Sequence, residues 1–194
     1  MSYKVLFSTL ALFMLTSMTL MVGLFGCSPK ASMNEQVAVT EPTPAKKADG
    51  STRTVELTDG EFDGKEITKS DEEWKKELTA AEYNVMREEG TEQPYSGPLN
   101  KNKKQGTYYC AACGLALFKS TAKFESGTGW PSFFQPIFKK NVTEKVDNSL
   151  GEVRTEVECA RCQAHLGHVF DDGPQPTGLR YCMNSVSLKF KADK

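Results

Sequence analysis

The sequence predicts a mainly β (α+β) domain, in which antiparallel strands follow a short pair of helices. Helix-start signals occur twice in succession within residues 70–82. After residue 106, short β-branched and aromatic runs alternate with Gly- and Pro-rich turns. The composition is that of a globular protein, with 39% hydrophobic and 25% charged residues and a formal net charge of −1. This near-neutral balance offers no basic face for nucleic acid, and we expect a monomer.

The N-terminus carries the features of an export signal. Lys4 is followed by an uncharged run, Val5–Gly26, as in the n-region and h-region of a signal peptide. Leu24–Cys27 resembles the lipobox of bacterial lipoproteins, which are cut before the cysteine. We therefore predict a signal peptide over residues 1–26 and lipid attachment at Cys27. The alternative is an uncleaved transmembrane anchor, because the 22 residues of the uncharged run could span a bilayer.

Both alternatives place the folded part of the protein outside the cytoplasmic membrane, held by a lipid or an anchor. Ser28, and no aspartate, follows the cysteine, which in a Gram-negative cell favours the outer membrane facing the periplasm. Residues 28–50 are rich in Pro, Ala, Thr, Ser and Lys and lack apolar periodicity. We predict a flexible tether over residues 27–66 and the folded domain over residues 67–194.

The helical pair is predicted at the start of the domain. The stretches SDEE (70–73) and TAAE (79–82) both fit the capping box, in which an N-cap hydroxyl and an acidic side chain three residues later cap each other. Trp74 and Leu78 are four residues apart and share one helix face. Gly90 is a suitable stop for the second helix.

Strands are predicted in TYY (107–109), VRTEVEC (153–159), HVF (168–170) and RYCMNSVSLKF (180–190). If residues 180–190 form one strand, its alternation places Arg180, Cys182, Asn184, Val186 and Leu188 on one face. The polar start and apolar continuation of that face suggest a site at the rim of a sheet.

Four of the six cysteines form two C-x-x-C pairs, Cys110 with Cys113 and Cys159 with Cys162. Two such knuckles supply a closed tetrahedral thiolate site, which is typical of one structural zinc ion per chain. Gly114 helps the chain to turn after the first pair. The long separation of the pairs suggests that the metal clamps distant strands together. The alternative is two disulfides, which an extracytoplasmic compartment permits.

With Cys27 assigned to lipid and four cysteines to metal, Cys182 remains as a free thiol. A free thiol is either buried and inert or chemically employed. Arg180, one strand step away, favours the thiolate form, and the Asn184 side chain could hydrogen-bond a ligand. The chain has only two histidines, and they lie together at His165 and His168. Packing in the core is the alternative role for both.

Three stretches resemble the B family of methionine-R-sulfoxide reductases: SGTGWPSF (126–133), EVRTEVECARCQAHLGHVFDDG (152–173) and PTGLRYCMNSVSLKF (176–190). The resemblance covers about residues 68–192. It implies a β domain of two antiparallel sheets with small N-terminal helices. It also implies structural zinc on the two C-x-x-C pairs, which are all present.

The resemblance further implies that Cys182 attacks the sulfur of a peptide-bound methionine-R-sulfoxide, releasing methionine and leaving a sulfenic acid. Trp130 matches the tryptophan that packs against the ε-methyl group of the substrate. Five more residues match positions credited with substrate binding and proton transfer: His165, His168, Phe170, Arg180 and Asn184.

One position departs from the pattern of many family members. Thr128 stands where they carry a resolving cysteine, and the domain has no spare cysteine elsewhere. We therefore expect an external thiol or a thioredoxin-like protein to reduce the sulfenic acid. Cys27 could act as a tethered resolving thiol only if it carries no lipid.

Two other function classes remain in competition with the reductase. An extracytoplasmic cysteine hydrolase would use Cys182 as acyl nucleophile and His168 as base. A non-enzymatic zinc module would make Cys182 dispensable. A zinc deaminase is excluded, because no His-x-Glu precedes a Pro-Cys-x-x-Cys in the sequence.

Overall fold

The computed structural model describes residues 53–149 and 151–194. Two helices come first in this part of the chain, α1 (Asp71–Glu77) and α2 (Ala80–Arg87). The strands that follow are β1 (Gly106–Cys110), β2 (Ala116–Lys119), β3 (Lys123–Phe124), β4 (Ser132–Phe133), β5 (Val142–Asp147), β6 (Arg154–Cys159), β7 (His165–Phe170), β8 (Arg180–Met183) and β9 (Leu188–Ala192).

Both predicted capping boxes are confirmed. The Ser70 hydroxyl accepts from the Glu73 amide at 3.3 Å, and the Glu73 carboxylate accepts from the Ser70 amide at 2.8 Å. Thr79 and Glu82 repeat the exchange at 3.2 and 2.8 Å. Only Leu78, the C-cap of α1, and Thr79, the N-cap of α2, lie between the two helices. Trp74 is buried, as expected of the apolar face.

The strands form two antiparallel sheets, as the resemblance implied. One sheet has the order β2-β1-β9 and the other the order β3-β4-β8-β7-β6-β5. Aromatic rings from both sheets meet in the core: Phe118 of β2 stacks on Phe133 of β4 at 4.4 Å, and Tyr108 of β1 meets Phe133 edge-on at 4.9 Å. Each fully buried ring stabilises the fold by about 1.5–3 kcal/mol.

The prediction of one strand over residues 180–190 is wrong. β8 ends at Met183, a 3-10 turn spans Ser185–Ser187, and β9 then joins the other sheet. The turn is held by the Glu92 carboxylate, which accepts from the Ser185 amide at 2.6 Å and from the Val186 amide at 3.0 Å. Val186 and Leu188 therefore do not continue the face that carries the cysteine.

Residues 53–66, which we assigned to the tether, lie against the domain. Thr58 forms an isolated parallel bridge with Leu115, and its amide donates to the Gly114 carbonyl at 2.8 Å. The Asn141 side chain donates to the Gly60 carbonyl at 2.9 Å. The predicted signal peptide, Cys27 and the rest of the tether lie outside the described residues. Within residues 53–149 and 151–194, no helix is both long and apolar enough to cross a membrane.

Candidate active site and metal centre

The two C-x-x-C pairs meet where two strands end. Cys110 ends β1 of the smaller sheet and Cys159 ends β6 of the larger one, and each partner cysteine lies in the turn that follows. All four sulfur atoms lie within 4.8 Å of one another. The cluster therefore joins the two sheets, as the separation of the pairs suggested.

The sulfur geometry fits a tetrahedral metal ion. The Sγ atoms of Cys110 and Cys162 are 3.7 Å apart, and those of Cys113 and Cys159 are 3.6 Å apart. Zinc–sulfur bonds of about 2.3 Å place neighbouring sulfurs of a tetrahedron about 3.8 Å apart, whereas a disulfide needs about 2.05 Å. The donor set is the one that structural zinc prefers, and it leaves no position for a substrate.

The backbone around the cluster has little freedom. Gly114 has φ +79, and a Cβ atom there would lie 2.1 Å from the Glu56 carbonyl oxygen. Arg161 donates from Nε to the Cys113 Sγ at 3.4 Å, which brings a positive charge to the thiolates. Arg87 of α2 donates to the Cys162 carbonyl at 2.9 Å, so the helical pair is attached to the second knuckle.

Cys182 lies in the middle of the larger sheet. Its Cα partners are Ser132 on β4 and His168 on β7. The thiol is partly buried and opens into a pocket of about 130 Å³. The pocket is lined by Thr91, Trp130, Arg154, Gly167, His168, Phe170, Cys182 and Asn184. Five of the predicted site residues therefore meet here, while His165 and Arg180 do not line this pocket.

Arg180 is held by a carboxylate and an aromatic ring. Its guanidinium donates to both oxygens of Asp172, at 2.8 and 2.9 Å, and lies 4.3 Å from the centre of the Phe170 ring. This arrangement lowers the pKa of the Asp172 carboxyl. It also fixes a positive charge next to Cys182, one strand step away.

The thiol of Cys182 nevertheless has a raised pKa. Burial raises the pKa, and the Thr128 hydroxyl, the Arg180 charge and the Ser132 hydroxyl oppose it without cancelling it. The expected effect of Arg180 thus has the right direction, but it is smaller than the effect of burial.

Each histidine is anchored by one carboxylate. His165 Nδ1 lies 2.6 Å from Glu156 Oε1, and His168 Nε2 lies 2.8 Å from Asp147 Oδ2. The two ring centroids are 5.4 Å apart. Burial lowers the pKa of His168 despite Asp147, so its imidazole is neutral at neutral pH. A neutral ring that donates to Asp147 from Nε2 leaves Nδ1 as an acceptor.

The glycine between the histidines is required by close packing of the strands. Gly167 has φ +154, and a Cβ atom there would lie 2.1 Å from the Cys182 carbonyl oxygen. A side chain at this position would push β8, which carries the thiol, away from β7.

Asn184 and Trp130 are both attached to Glu92. The Asn184 Oδ1 accepts from the Glu92 amide at 3.1 Å, and its Nδ2 donates to the Leu166 carbonyl at 3.2 Å. The Trp130 indole N–H donates to the Glu92 carbonyl at 3.1 Å. Asn184 therefore orders the pocket wall through these backbone contacts, and the indole is fixed by its edge.

Four acids that hold the site were not predicted from the sequence: Glu92, Asp147, Glu156 and Asp172. A signal for one was present, because alternation in VRTEVEC places Arg154, Glu156 and Glu158 on one face of a central strand. Charged residues on such a face need partners when buried. Nothing local marks the site contacts of Glu92 and Asp147, because the Ser185 amide and the His168 ring that they bind are 93 and 21 positions away.

Together, these features define a class: a two-sheet β protein with four clustered cysteines that could hold a metal ion, and with a pocket thiol beside a carboxylate-anchored histidine. The family model described as the SelR domain matches residues 78–192. The chain is similar to three proteins named "Peptide methionine sulfoxide reductase MsrB", and all three comparisons cover at least nine-tenths of the relative.

The protein of Leptospira interrogans is 57% identical over 128 residues, which are 66% of this chain and 98% of that protein. The protein of Methanosarcina barkeri is 58% identical over 130 residues, which are 67% and 92% of the two chains. The protein of Teredinibacter turnerae is 55% identical over 126 residues, which are 65% and 93%. The chain belongs to the methionine-R-sulfoxide reductase B family, as its motifs predicted.

Proposed function

We propose that the protein reduces peptide-bound methionine-R-sulfoxide to methionine, with Cys182 as the nucleophile. Its family makes it an oxidoreductase, a peptide-methionine sulfoxide reductase. The observation that supports Cys182 most is its place: among the described cysteines it alone lies outside the metal cluster, and it opens into the pocket.

In the first step, the Cys182 thiolate attacks the sulfoxide sulfur. The attack forms a bond between the two sulfur atoms, and the sulfoxide oxygen takes up a proton. The S–O bond of the substrate and the new S–S bond then break as the OH group passes to the Cys182 sulfur, and the products are methionine and a cysteine sulfenic acid. Methionine sulfoxide gains two electrons and the cysteine loses two. We propose that the Trp130 ring contacts the methyl group of the substrate and that His168, with His165 behind it, organises the proton donor.

In the second step, an external thiol attacks the sulfenic acid, forming a mixed disulfide and releasing water. A second thiol then breaks the mixed disulfide and restores Cys182. Thr128 supports this proposal, because its hydroxyl occupies the position next to Cys182 that a resolving cysteine would need. A thioredoxin-like protein is the proposed reductant, and oxidised proteins or peptides are the proposed substrates.

The test is turnover of a peptide-linked methionine-R-sulfoxide against its S epimer, with excess dithiothreitol. We expect the R epimer to lose about 16 Da, the mass of one oxygen atom, and the S epimer to be left unchanged. The Cys182→Ser variant is expected to lose R-epimer turnover while it stays folded. Turnover of an ester or amide without reductant would support the hydrolase instead. If the protein binds zinc but turns over neither epimer, the result would support the non-enzymatic zinc module.

We also propose that the protein is an extracytoplasmic lipoprotein that repairs oxidised envelope proteins. The uncharged run, Val5–Gly26, and the lipobox-like Leu24–Cys27 support this proposal. Mass spectrometry of the mature N-terminus from membranes is expected to find a diacylglycerol thioether on Cys27. An intact Met1 terminus would support the uncleaved anchor, and an unmodified Cys27 thiol would reopen its resolving role.

A further inference from the structure

Three hydroxyl side chains form a chain that ends at the Cys182 sulfur. Thr128 Oγ1 lies 3.8 Å from Cys182 Sγ, Ser126 Oγ lies 2.8 Å from Thr128 Oγ1, and Ser132 Oγ lies 2.7 Å from Ser126 Oγ. The far end is the Trp130 carbonyl oxygen, 3.2 Å from Ser132 Oγ. We call Thr128, Ser126 and Ser132 the hydroxyl chain.

The hydroxyl chain can be oriented in two ways, because each hydroxyl has one proton to donate and lone pairs to accept. In one orientation, the thiol donates to Thr128, Thr128 to Ser126, Ser126 to Ser132, and Ser132 to the Trp130 carbonyl. In the other, Ser132 donates to Ser126, Ser126 to Thr128, and Thr128 to a thiolate. The same three side chains therefore suit Cys182 both as a thiol and as a thiolate.

Burial makes the Thr128 hydroxyl important as a hydrogen-bond donor to the thiolate. Ser132 is fully buried and Cys182 is partly buried, so solvent stabilises the thiolate poorly. The Thr128 amide also donates to Ser126 Oγ at 3.4 Å, which keeps the threonine directed toward the sulfur. Burial has the largest influence on the pKa of Cys182 and raises it. Among the groups that lower this pKa, the Thr128 hydroxyl has the largest effect.

We propose that Thr128 is a catalytic residue, whose hydroxyl donates a hydrogen bond to the Cys182 thiolate before turnover and to the sulfenic acid after it. Ser126 is a positioning residue, which acts through Thr128. Ser132 supports Ser126 and also opposes the raised pKa of Cys182 directly. The part that concerns the sulfenic acid rests on the proposed function, whereas the part that concerns the thiolate does not. In this protein, residue 128, where many family members carry a resolving cysteine, therefore acts in the first step of the reaction.

Other charged and titratable groups near the thiol remain in place when Thr128 is changed. Arg180, paired with Asp172, lies on the same strand as Cys182. His168 faces it from β7, and Arg154 of β6, paired with Asp147 of β5, lines the pocket. A difference between the wild type and a Thr128 variant therefore reports the hydroxyl.

The experiment is the pH dependence of Cys182 alkylation by iodoacetamide in the full chain, read by mass spectrometry of the Cys182 peptide. Thr128→Val removes the hydroxyl and keeps the shape. We expect its midpoint to rise by about one pH unit and alkylation at neutral pH to slow about tenfold, as for one lost hydrogen bond to a charged group. Thr128→Ser is expected to restore the wild-type midpoint. Thr143→Val, at an exposed threonine of β5, is the matched control.

A Thr128→Val midpoint equal to that of the wild type would overturn the proposal. If that variant does not fold, Ser126→Ala provides the test. We expect its midpoint to rise by less than that of Thr128→Val, and an unchanged midpoint would count against the hydroxyl chain. Because alkylation needs no sulfoxide, failure of the reductase assay leaves this result readable. Conversely, normal turnover with unchanged midpoints would retain the proposed function and remove Thr128 from it.

Discussion

Loss of one sulfur from the four-cysteine cluster is expected to release the metal and to destabilise the whole domain. Cys162→Ser removes one ligand and leaves three buried thiols within 4.8 Å of one another. Structural zinc contributes roughly 10 kcal/mol or more in small zinc domains. This domain also has an aromatic core between its sheets, so we expect about 5 kcal/mol to be lost, or about 15 °C in Tm.

The measurement is thermal unfolding together with zinc content for the wild type, Cys162→Ser and Cys182→Ser. The last variant is the matched control, because it makes the same atomic change outside the cluster and is expected to retain one zinc ion. An unchanged Tm in Cys162→Ser would contradict a structural metal centre. Loss of about 4 Da on oxidation of a metal-free wild type would indicate two disulfides instead.

Introducing a cysteine at residue 128 is expected to give the protein an intramolecular resolving thiol. The threonine hydroxyl lies 3.8 Å from Cys182 Sγ, and a disulfide needs about 2.05 Å, so the loop must move by about 2 Å. Gly127 and Gly129 flank the position, both with positive φ, and Gly127 has open space around it. In Thr128→Cys, the new thiol would attack the sulfenic acid, form the disulfide and release water.

Single turnover without reductant distinguishes the two proteins. The wild type is expected to release about one methionine per chain and to hold a sulfenic acid that dimedone labels. Thr128→Cys is expected to release the same amount, to resist dimedone and to weigh about 2 Da less than its reduced form. Thr121→Cys, at an exposed threonine of a 3-10 turn, should retain dimedone labelling. Equal labelling of wild type and Thr128→Cys would show that the loop does not bring residue 128 to the sulfur.

The parts of the fold that the sequence predicted are those with local causes. The capping boxes of α1 and α2 involve residues three apart, and each C-x-x-C knuckle is formed within a few residues. The break between β8 and β9 has a distant cause: the Glu92 carboxylate binds amides 93 and 94 positions away. Without that contact, the run from Arg180 to Phe190 fits one strand.

The candidate site divides in the same way. Cys182, Trp130 and the histidines lie in recognisable motifs, but Asp147 and Glu156 anchor the histidines from β5 and β6. These carboxylate–histidine pairs depend on the register between strands, which the sequence of one strand does not specify. The raised pKa of Cys182 also depends on burial, which the neighbouring Arg180 alone did not reveal.

Glu92 joins parts of the protein that lie far apart in the sequence. Its carboxylate holds the turn through which the chain passes from one sheet to the other, its carbonyl holds the Trp130 indole, and its amide holds Asn184. We therefore expect the pocket wall formed by Trp130 and Asn184 and the crossing between the sheets to behave as one cooperative unit. In amide hydrogen exchange, the pocket and this crossing should open together, so that the catalytic site is as long-lived as the fold that carries it.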